Sequence, residues 1–155
     1  ARYLDYMARL RQRIDDRHPI VRGQNLTSSQ AYSGDIYFKG AWVLHSLKWL
    51  LGEEDFFTVV WRFANDPEFA YGLVSSQALA GLVMEVRGRG IGWLWDRYLY
   101  RAEEPVWRVR RRVDGDRERI SINWDDPNFE MPLPVQVDGM EPRFIPVRFW
   151  RNGRR

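Results

Sequence analysis

Two histidines, several adjacent carboxylate pairs and a tyrosine at the mouth of an apolar helix are the side chains of this 155-residue chain whose types could do chemistry. His18 and His45 are the only histidines, and there is no cysteine. Zinc takes at least three ligands of suitable type, often two histidines four residues apart on one helix face, and neither histidine has such a partner. Both read as packed or solvent-tipped side chains, so no metal site is expected from this chain alone. Asp15-Asp16, Glu53-Glu54 and Asp125-Asp126 offer paired carboxylates, but adjacent residues on a helix diverge in direction, and helix-terminus or turn roles account for all three. No Ser-His-Asp spacing and no nucleophile elbow is present. Gly88-Arg89-Gly90-Ile91-Gly92 looks superficially like a phosphate cradle but joins two helical segments instead of following a strand. That leaves Tyr37. A phenol with an ordinary pKa of about 10 stays protonated at neutral pH and can donate one directed hydrogen bond. Helical period alone favours the plainer reading, a tyrosine that packs at a helix start.

The elements that must hold these residues are legible from period. Leu4, Met7, Leu10 and Ile14 recur at three- and four-residue steps and predict a helix over 2–16, stopped by Pro19. Residues 17–34, with Gly23, Asn25, Thr27, Ser28, Ser29, Ser33 and Gly34, have neither period; a connection this long is more often functional than accidental. Asp35 is expected to cap a helix with Ile36, Val43, Leu44, Leu47 and Leu51 as its apolar stripe, ended by Gly52. A helix from Glu53, acidic in its first turn, is expected to bury Phe56, Phe57, Val60 and Phe63 and to end at Asn65-Asp66-Pro67. Ser75 is the expected cap of a helix presenting Leu79, Leu82, Val83 and Val86 and broken by Gly88 and Gly90, and Ile91–Tyr100 form another with Leu94, Trp95, Tyr98 and Leu99 inward. At Pro105 the period changes to two. Trp107, Val109 and Val113, then Ile120, Ile122 and Trp124, flank Asp114-Gly115-Asp116 as a hairpin, and further strands are expected at Leu133–Val137 and Phe144–Trp150 around Asp138-Gly139. The fold class is therefore α+β: a bundle of about five helices, then a four-stranded antiparallel sheet that needs a covering layer, as half of a β-sandwich has.

Composition bounds the rest. The chain is 45% apolar and 29% charged, with eight tryptophans, seven tyrosines and eight phenylalanines, an aromatic load suited to cores and clefts. Residues 1–104 balance 13 basic against 13 acidic side chains, whereas 105–155 hold 11 basic and 8 acidic and supply the net charge of +3. Arg108, Arg110, Arg111 and Arg112 are the densest basic cluster; with Asp114, Asp116 and Glu118 close by, a solvated strand face is favoured over a nucleic-acid surface. No apolar run approaches the ~20 residues that span a bilayer. Neither a nucleic-acid nor a membrane partner is expected, while an aromatic-rich surface could self-associate.

The run Asp35-Ile36-Tyr37-Phe38-Lys39-Gly40-Ala41-Trp42-Val43-Leu44-His45-Ser46-Leu47 resembles the segment that carries the catalytic tyrosine of aminopeptidase N-like zinc metallopeptidases, the gluzincins of peptidase family M-one. Leu51-Gly52-Glu53-Glu54-Asp55-Phe56-Phe57, then Val74-Ser75-Ser76-Gln77, then Gly92–Leu99 and Pro105 follow in the family's order. The resemblance covers residues 1–104 well and 105–155 more weakly. It implies the helical C-terminal part of a thermolysin-like catalytic domain over 1–104 and a partial β-sandwich over 105–155. It assigns Tyr37 the role of donating a hydrogen bond to the tetrahedral oxyanion, and suggests that Tyr32 lines the substrate pocket. Lys39 and Gly40 belong to the motif: Gly40 is expected to permit close helix packing, and Lys39 to pair with an acidic group upstream of this chain or stand in solvent. The family's His-Glu-x-x-His and later glutamate are missing. Zinc and its ligands are thus expected in an upstream part of a longer parent that removes N-terminal residues from peptides, and this chain alone is expected to be inactive. The alternative is a non-enzymatic binding or scaffold module of the same architecture.

Overall fold

The computed structural model describes residues 2–22, 25–115, 117–136, 141 and 143–145. The chain divides into two compact units, Ala1–Glu103 and Glu104–Arg155.

Among the described residues the first unit holds six helices: α1 (Arg2–Arg11), α2 (Ser28–Ala31), α3 (Asp35–Leu51), α4 (Glu53–Asn65), α5 (Ser76–Arg87) and α6 (Gly92–Leu99). The central helix is α3, which packs against α1 and α4, while α4 packs against α5. Its core is Met7 and Leu10 of α1, Val43 and Leu47 of α3, Val59 of α4, Leu82 and Val83 of α5, and Ile91, Leu94 and Trp95 around α6. Indole N–H groups stitch the helices: Trp42 donates to the Met7 carbonyl at 3.1 Å and Trp95 to the Ser76 carbonyl at 2.8 Å.

Several boundaries differ from expectation for identifiable reasons. Helix α1 ends at Arg11, well before Pro19. The chain is drawn out of the helix because the Asp35 carboxylate accepts the backbone N–H groups of Asp15 and Asp16, each at 2.9 Å, with Asp16 left-handed at φ 55°. Asp35 therefore does not cap its own helix; the cap position is Gly34, without a side-chain hydrogen bond. Part of the aperiodic 17–34 stretch folds as α2, where Thr27 accepts from the Gln30 N–H and the Gln30 side chain accepts from the Thr27 N–H at 2.9 Å. That reciprocal cap is the Thr-x-x-Gln signature, present in the sequence but overlooked.

The buried stripe of helix α4 is turned by about half a residue step, roughly 50°, from its predicted orientation. Val59 is fully buried between half-buried Phe56 and Phe63, whereas Phe57 and Val60 are exposed. Ser75 caps α5 as expected, accepting from the Ala78 N–H, and Gly88 ends it at φ 71°, a left-handed position that glycine reaches without strain.

In the second unit β1 (Trp107–Asp114) and β2 (Arg117–Trp124) pair antiparallel in the register Trp107↔Trp124, Val109↔Ile122, Arg112↔Arg119 and Asp114↔Arg117. Gly115, at φ 57°, supplies the left-handed residue that a two-residue hairpin loop requires; Asp116 lies outside the described residues. Phe129 is buried, edge-to-face with Trp124 at 4.9 Å, and the Trp124 indole donates to the Met131 carbonyl at 2.8 Å. Strands β3 (Leu133–Val135) and β4 (Arg143–Ile145) form a second antiparallel ladder. Among the described residues there are thus two two-stranded ladders and not one four-stranded sheet. Pro134 stands mid-way along β3 and has no N–H to give to a ladder, which confines such a strand to an edge. Val137, Asp138-Gly139 and residues 146–150 of the expected strands lie outside the described residues.

Candidate active site: the first turn of α3

Successive residues of an α-helix are turned by about 100°, so residues two apart lie on nearly opposite sides. The first turn of α3 uses this geometry. Asp35 and Lys39 are buried, and Tyr37 between them faces outward with 56% of its surface exposed. The buried stripe runs Asp35, Lys39, Val43, Leu47 in steps of four. The other face, Ile36, Tyr37, Gly40, Ala41 and Leu44, together with Val43 at the edge of the buried stripe, lines a groove of about 390 Å³ completed by Ile20, Ser76, Leu79, Trp95 and Leu99. The predicted apolar stripe mixed these two faces: Val43 and Leu47 are core, but Leu44 is 42% exposed.

Lys39 is only 2% exposed. Its Nζ pairs with Asp16 Oδ1 at 2.7 Å and donates to the Ala102 carbonyl at 2.6 Å, with the Arg101 carbonyl at 3.4 Å. The expectation of a solvated ammonium, or of a partner outside the chain, is corrected: the partner is Asp16. Charge is tolerated at this depth because a carboxylate and a carbonyl replace the water that burial strips away. Gly40 is corrected too. A Cβ there would meet nothing within 4 Å, so within this chain it opens the groove instead of admitting a neighbouring helix.

At the groove's rim the hydroxyls of Tyr32 and Tyr37 are hydrogen-bonded, with their rings edge-to-face at 5.9 Å. The bond to Tyr32, then the proximity of that second phenol and slight desolvation, hold the Tyr37 hydroxyl above the usual phenol value. Tyr37 therefore carries its proton throughout the neutral range, and its exposed hydroxyl can exchange the bond to Tyr32 for one to an incoming acceptor. Tyr32, expected beside a pocket, is brought to Tyr37.

Both ring nitrogens of His45 are engaged. The Trp49 indole donates to His45 Nε2 at 2.9 Å, and His45 Nδ1 meets the Tyr3 hydroxyl at 2.9 Å. An indole can only donate, so Nε2 accepts and the neutral ring carries its proton on Nδ1. Burial and then the Lys48 ammonium push His45 below the ordinary imidazole value. His18 is exposed, and among the described residues no three histidine, cysteine or acidic side chains are grouped to hold an ion. The donors among these residues do not fit zinc.

The carboxylate pairs have local partners. Asp15 meets Arg17 at 2.6 Å, Glu53 meets Lys48 at 3.0 Å, Asp125 accepts from the Val106 N–H at 3.0 Å and Asp126 from the Asn128 N–H at 2.9 Å. The arginines of β1 are exposed and alternate in direction along the strand, Arg111 sharing a side with Val109 and Val113.

Sequence reasoning missed Asp16 and misassigned Asp35. The available signal was the four-residue step from Asp35 to Lys39 to Val43, which continues the buried stripe through charged residues. No protein-family model matches the chain, and no curated protein matches it.

Proposed function

We propose that this chain is the part of a zinc-dependent aminopeptidase that supplies its transition-state-stabilising tyrosine. The observation that carries the reading is the Tyr37 hydroxyl: protonated, exposed at the rim of an apolar groove, and presented by a helical turn whose opposite side is anchored by buried Asp35 and Lys39. A peptide carbonyl attacked by water develops negative charge on oxygen, and a donor already aimed at that point stabilises it without reorganising. Tyr37 suits this task, and the groove gives a peptide a concave surface beside the donor. Tyr32 keeps the phenol oriented until the acceptor arrives.

The zinc ligands are not among these residues, so on this reading they belong to another part of the catalytic domain, and the 155-residue chain alone turns over no peptide. The exposed faces of Trp107, Val109, Val113 and Ile120 are consistent with β1–β4 opening a β-sandwich. A two-stranded ribbon is marginal by itself and needs a covering layer.

The deciding experiment is Tyr37→Phe in the peptidase that contains this chain. Loss of one oxyanion donor lowers kcat on the order of a hundredfold, with zinc content unchanged by elemental analysis. Full activity in the phenylalanine variant would reject the role and leave a binding or scaffold module as the better reading.

A further inference from the structure

Three segments far apart in sequence meet at the Lys39 ammonium: the turn after α1 through Asp16, the first turn of α3 through Lys39 itself, and the segment after α6 through the Ala102 carbonyl. The adjoining Asp35 carboxylate fixes the same turn after α1 by taking two backbone N–H groups. Asp16 is left-handed at φ 55°, a conformation aspartate reaches more easily than most residues, and its surroundings fix it there. Here they do so twice, from Asp35 on its N–H and from Lys39 on its carboxylate. Such over-determination is more than core filling requires, since an apolar side chain at position 39 would pack the same stripe without desolvating a charge.

Resting on the peptidase reading above, we propose that Asp16 and Lys39 are positioning residues for Tyr37, a buried clamp on one side of the α3 turn that fixes where the phenol emerges on the other. The physical basis is the steep dependence of catalysis on donor placement, where a displacement near 1 Å costs on the order of a hundredfold. A helix start with no side-chain cap is free to fray or shift unless something outside the helix holds it. Lys39 and Asp35, one residue on either side of the tyrosine's immediate neighbours, do the holding. Neither touches the groove-facing side of the turn.

The test is a kinetic double-mutant cycle in the peptidase that contains this chain, using wild type, Lys39→Met, Tyr37→Phe and the double variant. If the clamp acts through the phenol, Lys39→Met lowers kcat tenfold or more with KM nearly unchanged, yet adds less than about twofold in the Tyr37→Phe background, because residues acting as one unit are not additive. A merely structural lysine would give the same fold-loss in both backgrounds, and that outcome, or no loss at all, overturns the proposal while Tyr37→Phe remains impaired. Full activity of Tyr37→Phe instead rejects the peptidase role itself, so the two failures are distinguishable. Lys39→Gln, which can still donate toward Ala102, serves in the same cycle should the methionine variant not fold.

Discussion

The Asp16–Lys39 pair predicts an asymmetry that can be read without any assay of activity. Its members differ in burial: the Lys39 side chain is 2% exposed and that of Asp16 is 24% exposed. Removing the carboxylate by Asp16→Asn leaves an ammonium in the interior without counter-charge, for which the expected cost is about 3–5 kcal/mol. Asparagine tolerates the left-handed conformation of position 16, so the backbone is not an added burden. Removing the ammonium by Lys39→Met leaves a carboxylate that water can reach. The losses are then the ion pair and the bond to the Ala102 carbonyl, partly offset by burying a methionine of similar length, and a net cost of about 1–2 kcal/mol is expected. In the double variant the amide at position 16 no longer faces a buried charge, and stability returns near that of Lys39→Met, a coupling equal in size to the Asp16→Asn cost, about 3–5 kcal/mol. Urea unfolding of the 155-residue chain, followed by far-ultraviolet circular dichroism and compared at equal m-values, measures all four. If Lys39→Met proved as costly as Asp16→Asn, the desolvated lysine could not be the costly member of the pair, and the burial argument would be wrong.

Other expected outcomes follow from single features. The folded-state pKa of His45 lies below its unfolded value, so its contribution to stability is present above the ordinary imidazole pKa near 6.5 and is lost as pH falls through and below it; His45→Phe should flatten that acid limb of the stability profile. Protonation would also place an N–H against the Trp49 indole N–H, so Trp49 fluorescence should report the same titration. Gly40→Ala should raise stability by about 0.5–1 kcal/mol, since helix propensity improves and the new methyl group meets open space. Gly88→Ala should lower it by about 1 kcal/mol because φ is +71° there. Opposite signs at these two glycines in a thermal melt would verify both assignments, and a destabilised Gly40→Ala chain would show that something does occupy that face.

Much of the helical unit was legible because helices are specified locally. The Ser75 cap, the Gly52 and Gly88 stops and the apolar steps of α5 and α6 are each written within a few residues, and Leu82, Val83, Leu94 and Trp95 are buried as their spacing implies. The Asp-Gly turn likewise set the β1–β2 register, with Trp107 opposite Trp124. Orientation was harder. In α4 an almost continuous apolar run, Phe56 to Phe63, allows more than one stripe, and contacts with α3 and α5 selected the one centred on Val59.

At the candidate site the chain's own pattern could present a tyrosine at a helix mouth and a lysine two residues on, and nothing in the neighbouring sequence says which way either faces. That was decided by a carboxylate 23 residues earlier and a carbonyl 63 residues later. Local sequence determined that α3 forms, since each bond of a helical backbone ladder reaches only four residues along the chain. Tertiary structure alone decided that Lys39 goes inside and Tyr37 outside, because the free energy of burying a charge depends on partners that only the folded chain brings within reach.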